Sequence, residues 1–316
     1  MILDTPESIH LVDGNYFFAE RAGAYMVTDG EEVAFVDNIT RFSIPLMLEA
    51  LEQQGLKPEQ VRYAIVTHIH LDHSGGTAEL IKHCPNATVL CHPKAAAHII
   101  DPSRLVAGAR AVYGDEYDGL YGEIEPIDEA RVRIIEDLEV VELGGRTLTF
   151  FDTPGHARHH HAILDSKTNM MMAGDCFGLH YRYLQRGSKQ FMSYVAAPPT
   201  FDPEAGKESV LKVVAANPDS IGVTHFGMVT NIEAGTEQVL RTIDKYDDVS
   251  KRAAATDLED DALLEYCTDE AFSVIKDELT VSGLDLDDAE VIKWATNEHH
   301  ITSQGIAILA QRYRKA

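Results

Sequence analysis

The sequence predicts an α/β protein whose strands and helices alternate, followed by a wholly helical C-terminal region. Short runs rich in β-branched and aromatic residues recur between segments with helical apolar spacing. Residues 256–316 carry no strand pattern at all. The 316 residues are 45% apolar and 25% charged, which is the balance of a globular protein with a substantial core. That composition excludes a disordered or fibrous chain.

The first hundred residues predict strands and helices in alternation, which indicates α/β layering. Strands are predicted over 23–28 and 32–37, joined by the turn at Asp29 and Gly30, and again over 64–66 and 87–91. Helices are predicted over 41–54, from about 75 to 83, and over 95–100.

An acidic segment then interrupts the alternation. Residues 101–136 predict an insertion over one edge of the core, with Tyr113, Tyr117 and Tyr121 spaced four residues apart. Two interpretations of these tyrosines stay open. They either pack one helix face on the core, or they form a lid over a pocket.

The second half of the chain begins with hairpins. One turn is predicted at Gly144 and Gly145, and a second hairpin joins residues 161–164 to 170–174. A last strand over 221–224 precedes a helix over about 232–247. We therefore predict a core domain over residues 1–250, including the insertion, and a helical region over 251–316.

The charge distribution excludes several classes of partner. With 27 basic and 51 acidic residues the net charge is −24. Nucleic acids and anionic membranes need Lys and Arg surfaces, so we expect neither as a partner. The N-terminal residues do not read as a signal peptide, no apolar run is long enough to span a membrane, and the four cysteines form no CxxC pair. We expect a cytoplasmic protein with a small-molecule substrate, and the helical tail suggests a homodimer.

The strongest motif is THIHLDH, residues 67–73, directly after the predicted strand 64–66. Extended backbone would place His68, His70 and Asp72 on one face, and a turn at residues 74–76 would aim His73. Imidazole and carboxylate side chains clustered in this way are typical ligands of a divalent metal.

Three further polar residues stand where later strands meet loops. His156 follows the strand that contains Phe150, Asp175 follows 170–172, and His225 follows 221–223. Each alone could be a capping or core residue. Together with residues 67–73 they supply enough ligands for two metal ions. Of the run 159–161, one histidine could support a ligand, while as a group these histidines read as structural or exposed.

These residues carry a family resemblance. Residues 67–73 match the HxHxDH signature of the metallo-β-lactamase superfamily, and the later His, Asp and His occur in the expected order. The resemblance covers about residues 10–250. Within the superfamily, the sequence is similar to glyoxalase II, to the lactonases and to an archaeal and bacterial hydrolase-like subgroup. The resemblance implies a four-layer αββα sandwich with the metals at one sheet edge. In this sequence the all-helical region 251–316 follows that sandwich.

The resemblance also implies a binuclear site. His68, His70 and His156 would hold one metal, Asp72, His73 and His225 the other, and Asp175 would bridge. A hydroxide between the metals would attack a carbonyl or phosphoryl centre, and Asp72 would orient it or move its proton. Nitrogen-rich ligands favour two Zn²⁺ ions per chain, although iron or manganese also fits.

The sequence therefore predicts a metal-dependent hydrolase of an ester, thioester or lactone with a small, anionic substrate. One alternative is a non-haem iron redox protein, similar to persulfide dioxygenases or to diiron oxygen-binding proteins. The other is a nuclease or phosphodiesterase, which the net charge disfavours.

A basic segment after Asp175 is a candidate for substrate binding. It contains His180, Tyr181, Arg182, Arg186 and Lys189 in an otherwise acidic chain. An anionic substrate would need local cations to offset the negative field, so we expect at least one of Arg182, Arg186 and Lys189 to bind it. The alternative is a solvated loop.

Overall fold

The computed structural model describes residues 2–185, 189–297 and 299–315, and shows two mixed sheets with helices. In the first sheet, β1 to β7 follow one another in chain order. The pairs from β1 to β4 are antiparallel, and those from β4 to β7 are parallel. The strands are β1 (Ile2–Asp4), β2 (Ile9–Asp13), β3 (Gly23–Asp29), β4 (Glu32–Val36), β5 (Val61–Ile65), β6 (Thr88–Cys91) and β7 (Val132–Ile134).

The second sheet has six strands in the order β13-β12-β11-β10-β9-β8. Strands β8 to β11 form an antiparallel meander, and β12 lies parallel to β11 after a crossover. The strands are β8 (Val140–Leu143), β9 (Arg146–Asp152), β10 (His161–Asp165), β11 (Met170–Gly174), β12 (Ser220–Val223) and β13 (Gly227–Val229).

The helices fall between and after the strands. Those among the strands of the first sheet are α1 (Ile44–Gln53), α2 (Leu71–Ser74), α3 (Thr77–His83), α4 (Pro93–Ile100), α5 (Ser103–Tyr113) and α6 (Tyr117–Leu120). Those that follow are α7 (Pro203–Ala215), α8 (Ile232–Ala254), α9 (Asp260–Val281), α10 (Ala289–Thr296) and α11 (His299–Lys315). No helix among the described residues has both the length and the apolar character needed to cross a membrane.

Burial explains why the central strands lie where they do. Strands β3 and β4 are buried along most of their length, as expected for strands covered on both faces. On one side, α1 buries Ile44, Met47 and Leu51, which share one helix face. On the other side, Tyr25 Oη of β3 donates to the Val223 carbonyl of β12 at 3.0 Å, so the second sheet faces the first.

The chain divides into two compact units. The first comprises residues 1–152, 159–174 and 218–228, and contains both sheets apart from the last residue of β13. The second comprises residues 153–158, 175–217 and 229–316, where α8, α9 and α11 pack together. The expected domain boundary at residue 250 lies inside α8, and β7 lies within the expected insertion 101–136. The predicted two-domain division stays a prediction.

The parallel strands β4, β5 and β6 determine where the polar residues collect. Their carboxyl ends lie at one edge of the first sheet, and each is followed closely by a polar side chain. Ligand sites in open α/β sheets form at such an edge. Asp37 follows β4, His68 follows β5 after two residues, and His92 follows β6 directly.

Candidate metal centre

The HxHxDH segment changes from extended to helical backbone at its centre. His70 has extended dihedral angles and is the N-cap of the short helix α2, whose first turn contains Asp72 and His73. His68 and His70 are adjacent, with His68 Nε2 2.9 Å from His70 Nδ1. The expectation that Asp72 shares their extended face is therefore wrong, because the helical turn carries Asp72 round to His225 instead.

The two glycines after His73 are needed for space rather than for an unusual backbone conformation. Gly75 and Gly76 both have ordinary right-handed helical angles, so they do not provide the flexible turn that the sequence suggested. A Cβ atom on Gly76 would overlap the carbonyl oxygen of Asn38 and would lie 2.7 Å from that of Thr40. Only glycine lets the HxHxDH segment approach the chain after β4 this closely.

Asp37 positions several candidate ligand side chains of the first unit. Its buried carboxylate accepts hydrogen bonds from the Thr67 backbone N–H at 2.9 Å and from Thr67 Oγ1 at 2.8 Å. His73 Nδ1 and Thr224 Oγ1 each lie 2.7 Å from its Oδ2 atom. A single carboxylate thus ties together the residues that precede His68 and His225, and it also holds His73 directly.

The partners of the Nδ1 atoms fix the imidazole tautomers. A carboxylate or carbonyl oxygen can only accept, so His73 donates from Nδ1 to Asp37, and His225 donates from Nδ1 to the Arg21 carbonyl at 2.9 Å. Thr67 Oγ1 gives its hydrogen to Asp37 and therefore accepts from His68 Nδ1 at 3.1 Å. In each ring Nε2 then carries the lone pair, which is the tautomer usual for a ligating histidine with an outer partner.

Donor spacing in the first unit fits a metal ion. Tetrahedral ligands at zinc bond lengths lie about 3.4 Å apart. His225 Nε2 lies 3.3 Å from Asp72 Oδ2, and one donor atom from each of Asp72, His73 and His225 lies within 4.8 Å of the others. The His68 and His70 nitrogens are 2.9 Å apart, which is closer than two tetrahedral ligands and is a hydrogen-bonding distance.

The second unit contains a further histidine–carboxylate pair. His156 Nε2 lies 3.4 Å from Asp175 Oδ2, and both side chains are buried. His156 Nδ1 donates to the Val195 carbonyl at 3.1 Å, so its Nε2 carries the lone pair, which is the tautomer of a ligating histidine. Burial raises the pKa of the neighbouring Cys176 thiol to about 12, so this cysteine stays protonated and does not act as a nucleophile.

The histidines that follow His156 lie behind the ligands. The His160 ring stacks on His68 with centroids 4.9 Å apart, and His159 Nδ1 accepts the Ile69 N–H at 3.5 Å. His161 instead packs against His92 and Phe150, away from the ligand group. His160 and His159 therefore lie next to residues of the candidate site, and the hypothesis that one histidine of this run supports a ligand stays a prediction.

The segment after Asp175 is only partly described. Arg182 is exposed at the start of a 3₁₀ turn and Lys189 is exposed, while Arg186 lies outside the described residues. Tyr181 is buried, its ring edge-on to Trp294 at 5.1 Å, and His180 is half-buried. The predicted role of this segment in substrate binding stays a prediction.

Three supporting groups were not identified from the sequence: Asp37, the Arg21 carbonyl and the Val195 carbonyl. Asp37 carried a usable signal, because it is a lone acid directly after an apolar strand, as Asp175 is. The two carbonyls carried none, since any residue offers a backbone oxygen.

Comparison with known proteins gives a family match. The model of the metallo-β-lactamase superfamily matches residues 23–225, more than half of the chain. The solved structure of an archaeal superfamily protein, ST1585 from Sulfolobus tokodaii, superposes with a TM-score of 0.65 at 21% identity. The match covers 96% of this chain and 99% of that one, and it shows a shared fold.

Curated relatives include proteins with different named activities. The metallo-β-lactamase fold-containing protein ST1585 of Sulfurisphaera tokodaii is 28% identical over 54% of this chain and 63% of its own length. The coenzyme F420H(2) oxidase of Methanothermobacter marburgensis is 28% identical over 54% of this chain and 38% of its own length. Hydroxyacylglutathione hydrolase of Salmonella paratyphi A is 26% identical over 36% of this chain and 32% of its own length. The chain spans less than two thirds of each relative.

Proposed function

Because the chain belongs to the metallo-β-lactamase superfamily, we propose that it is a binuclear metal-dependent hydrolase of an ester, thioester or lactone with a small, anionic substrate. One observation carries this proposal. In the first unit, Asp72, His73 and His225 converge with donor spacings that suit a divalent ion, and the Nδ1 atoms of both histidines are held by outer acceptors.

The proposed ligands are the seven residues that the sequence singled out. His68, His70 and His156 would hold one ion, Asp72, His73 and His225 would hold the other, and Asp175 would serve as a ligand of both. The fixed tautomers support this assignment, because His68, His73, His156 and His225 each keep Nε2 as a lone-pair donor. Zinc is the proposed metal, since imidazole nitrogen dominates the set and hydrolysis needs no redox chemistry.

Two bound divalent ions would lower the pKa of coordinated water to about 7 and polarise the substrate carbonyl. The protein supplies orientation and proton transfer. The Asp72 side chain is 18% exposed, whereas those of His73 and His225 are almost wholly buried. Asp72 is therefore a proposed ligand whose side chain water can also reach. Its carboxylate is suited to orient the attacking water and to accept its proton.

The test is turnover of a substrate panel by metal-replete and chelator-treated protein. The panel contains esters, thioesters, lactones and phosphodiesters. We expect carbonyl substrates to be cleaved only by the metal-replete protein, and Asp72→Asn to lower kcat by at least about 100-fold. His83→Ala is the matched control, because His83 is an exposed histidine of α3 outside the proposed set. Cleavage that survives chelation, or turnover of phosphodiesters alone, would refute this function.

A redox activity is the alternative that the relatives raise, since one is named as an oxidase. The two functions differ in the metal they need. Zinc supports hydrolysis in a colourless protein, whereas iron with visible absorbance and dioxygen-dependent oxidation would establish the alternative. The same panel run with and without dioxygen separates them.

A further inference from the structure

Helix α8 buries one face and exposes a charged one. It runs for 23 residues, and Val239, Ile243 and Tyr246 lie on its buried face. The opposite face carries charged residues at alternating spacings of four and three positions, so they form one stripe along the helix. This stripe, which we term the α8 stripe, consists of Glu237, Arg241, Asp244, Asp248 and Lys251.

An open groove of about 750 Å³ lies along the α8 stripe, between α7 and α8. Five acidic side chains, four basic side chains and Leu240 line it. The whole chain has 51 acidic and 27 basic residues, so the two signs are more evenly balanced in this groove than elsewhere. A partner of a single sign would meet repulsion along the groove, whereas a partner with alternating charges can match it.

Two acidic residues of the stripe are not neutralised within the chain. Glu237 and Asp248 are exposed, and neither forms an ion pair with a residue that the structure describes. Lys251 is 59% exposed and pairs with Asp247 at 2.7 Å, one turn earlier on the same helix. A lysine has three donors, so Lys251 can also bind a second carboxylate.

Arg241 is held in place by a buried acid. Its Nε atom lies 3.0 Å from Glu278 Oε1, its Nη2 atom donates to Glu278 Oε2 at 2.5 Å, and the Glu278 side chain is 1% exposed. The Arg241 Nη1 atom makes no hydrogen bond to a described residue, and 37% of the side chain is exposed. A guanidinium anchored through two of its nitrogens is pre-organised to donate from the third to an external carboxylate.

The charge pattern of the stripe is complementary to the same pattern reversed. A two-fold axis near Asp244 would bring the two halves of the stripe face to face. Glu237 and Lys251 each lie seven residues from that position, about 10.5 Å along the helix, so each would face the other on a second copy. Arg241 and Asp248 lie three and four residues from it, about 4.5 and 6 Å, and would face each other in the same way. A parallel arrangement would instead place each charge opposite itself.

We propose that the protein forms a homodimer through the α8 stripe, with α8 antiparallel to α8 of a second copy. The contact is isologous, so each of the two kinds of ion pair occurs twice. The two Asp244 carboxylates approach each other near the axis, and each is neutralised by Lys207 of its own chain, whose Nζ atom lies 3.1 Å away. Leu240 and the aliphatic stems of the basic side chains supply apolar area. The homodimer expected from the helical tail is thereby assigned to α8, and the proposal is independent of the hydrolase function.

Sedimentation equilibrium of the full chain measures the dimer dissociation constant. The protein is examined from about 1 to 200 µM, which brackets the micromolar affinity expected for a small, charged interface. The buffer contains about 0.15 M salt, at which the Debye length is about 8 Å. This screens the long-range repulsion between two chains of net charge −24 more than it screens direct contacts. We expect a reversible equilibrium between monomer and dimer.

Charge reversal tests the pairing. Glu237→Lys places a lysine opposite Lys251 of the second copy, and Lys251→Glu places two carboxylates opposite each other. Symmetry doubles each change, so either variant should raise the dissociation constant about ten- to a hundred-fold. The double variant should restore it, and so should an equimolar mixture of the two single variants, which form a heterodimer. Positions 237 and 251 are about 21 Å apart on one helix, so restoration cannot arise within a single chain.

Two more variants complete the experiment. Glu265→Lys is the matched control, because Glu265 is an exposed acid of α9 outside the groove and its reversal changes the net charge equally. It should leave the dissociation constant within about twofold of the parent. If Lys251→Glu fails to fold, Asp248→Lys takes its place, since it sets a lysine against Arg241 of the second copy and should weaken the dimer to a similar extent.

The outcomes decide the proposal without reference to turnover. A chain that stays monomeric throughout the concentration range overturns it, and so does a dimer that Glu237→Lys and Asp248→Lys leave unchanged. A dimer that the single reversals weaken, and that neither the double variant nor the mixture restores, overturns the antiparallel pairing.

Discussion

Replacing Asp37 by asparagine should weaken metal binding although Asp37 is not a proposed ligand. The carboxylate accepts from two groups of Thr67, from His73 Nδ1 and from Thr224 Oγ1. An asparagine has one acceptor oxygen, and its NH₂ group must face at least one of these buried donors. The His73 tautomer and ring orientation are then no longer fixed.

The magnitude follows from the bonds lost. A hydrogen bond to a charged group contributes about 1.5–3 kcal/mol, and Asp37→Asn removes at least one of them. Loss of a partner behind a ligand lowers metal affinity about 10–100-fold, which is the same range of free energy. We expect the second ion, next to His73, to be affected more than the first.

Competitive titration of zinc against a chromophoric chelator measures this effect. Asp29→Asn is the matched control, since Asp29 lies at the other end of β3 and pairs there with Lys167 and the Gly145 N–H. Zinc affinity within twofold of the parent in the Asp37 variant would refute the reasoning. It would show that Asp37 stabilises the sheet edge without orienting a ligand.

Two further predictions concern stability. Gly76→Ala should unfold the HxHxDH segment or abolish its zinc binding, because the added Cβ atom would overlap the Asn38 carbonyl oxygen. Gly108→Ala in α5 adds a Cβ atom that meets nothing within 4 Å, so it should stabilise the protein by about 1 kcal/mol. Denaturant titration and zinc content measure the two effects. Burial would raise the pKa of Glu278, but hydrogen bonds from Arg241 and a neighbouring lysine lower it overall. A lowered folded-state pKa stabilises the protein above about pH 4.3, the unfolded value, and the contribution disappears as pH falls through the folded value. Glu278→Gln should therefore cost about 1.5–3 kcal/mol at pH 7, because it removes charge-assisted hydrogen bonds while Arg241 and Lys245 stay partly exposed to water. It should also flatten the acid limb of the melting temperature, and an unchanged limb would contradict this.

The proposed metal ligands stand out in the sequence because each lies close to the point where an apolar strand meets a polar loop. This local pattern follows from the fold, since strands β5, β11 and β12 are buried and their ends lie at a sheet edge. The alternation of strands and helices was visible for the same reason. Helix α7 was not predicted, although Asp202 followed by Pro203 is a helix-start signal and Asp202 caps the helix.

The remaining parts of the site depend on contacts between distant residues. The hydrogen bond from His225 to the Arg21 carbonyl joins residues 204 positions apart, and the Tyr16–Tyr121 bond joins residues 105 apart. No local pattern encodes such pairs. Strand β7 was missed because three residues beside a polar segment carry little periodicity, and only pairing with β6 defines them as a strand.

The metal content of protein purified without added metal tests the central claim most directly. Elemental analysis should find two zinc ions per chain in a colourless protein, and His225→Ala should retain one of them. Asp175→Ala should lose metal and turnover together. Fewer than two ions in the parent, a ratio unchanged by both substitutions, or iron in place of zinc would contradict the account of a binuclear zinc hydrolase.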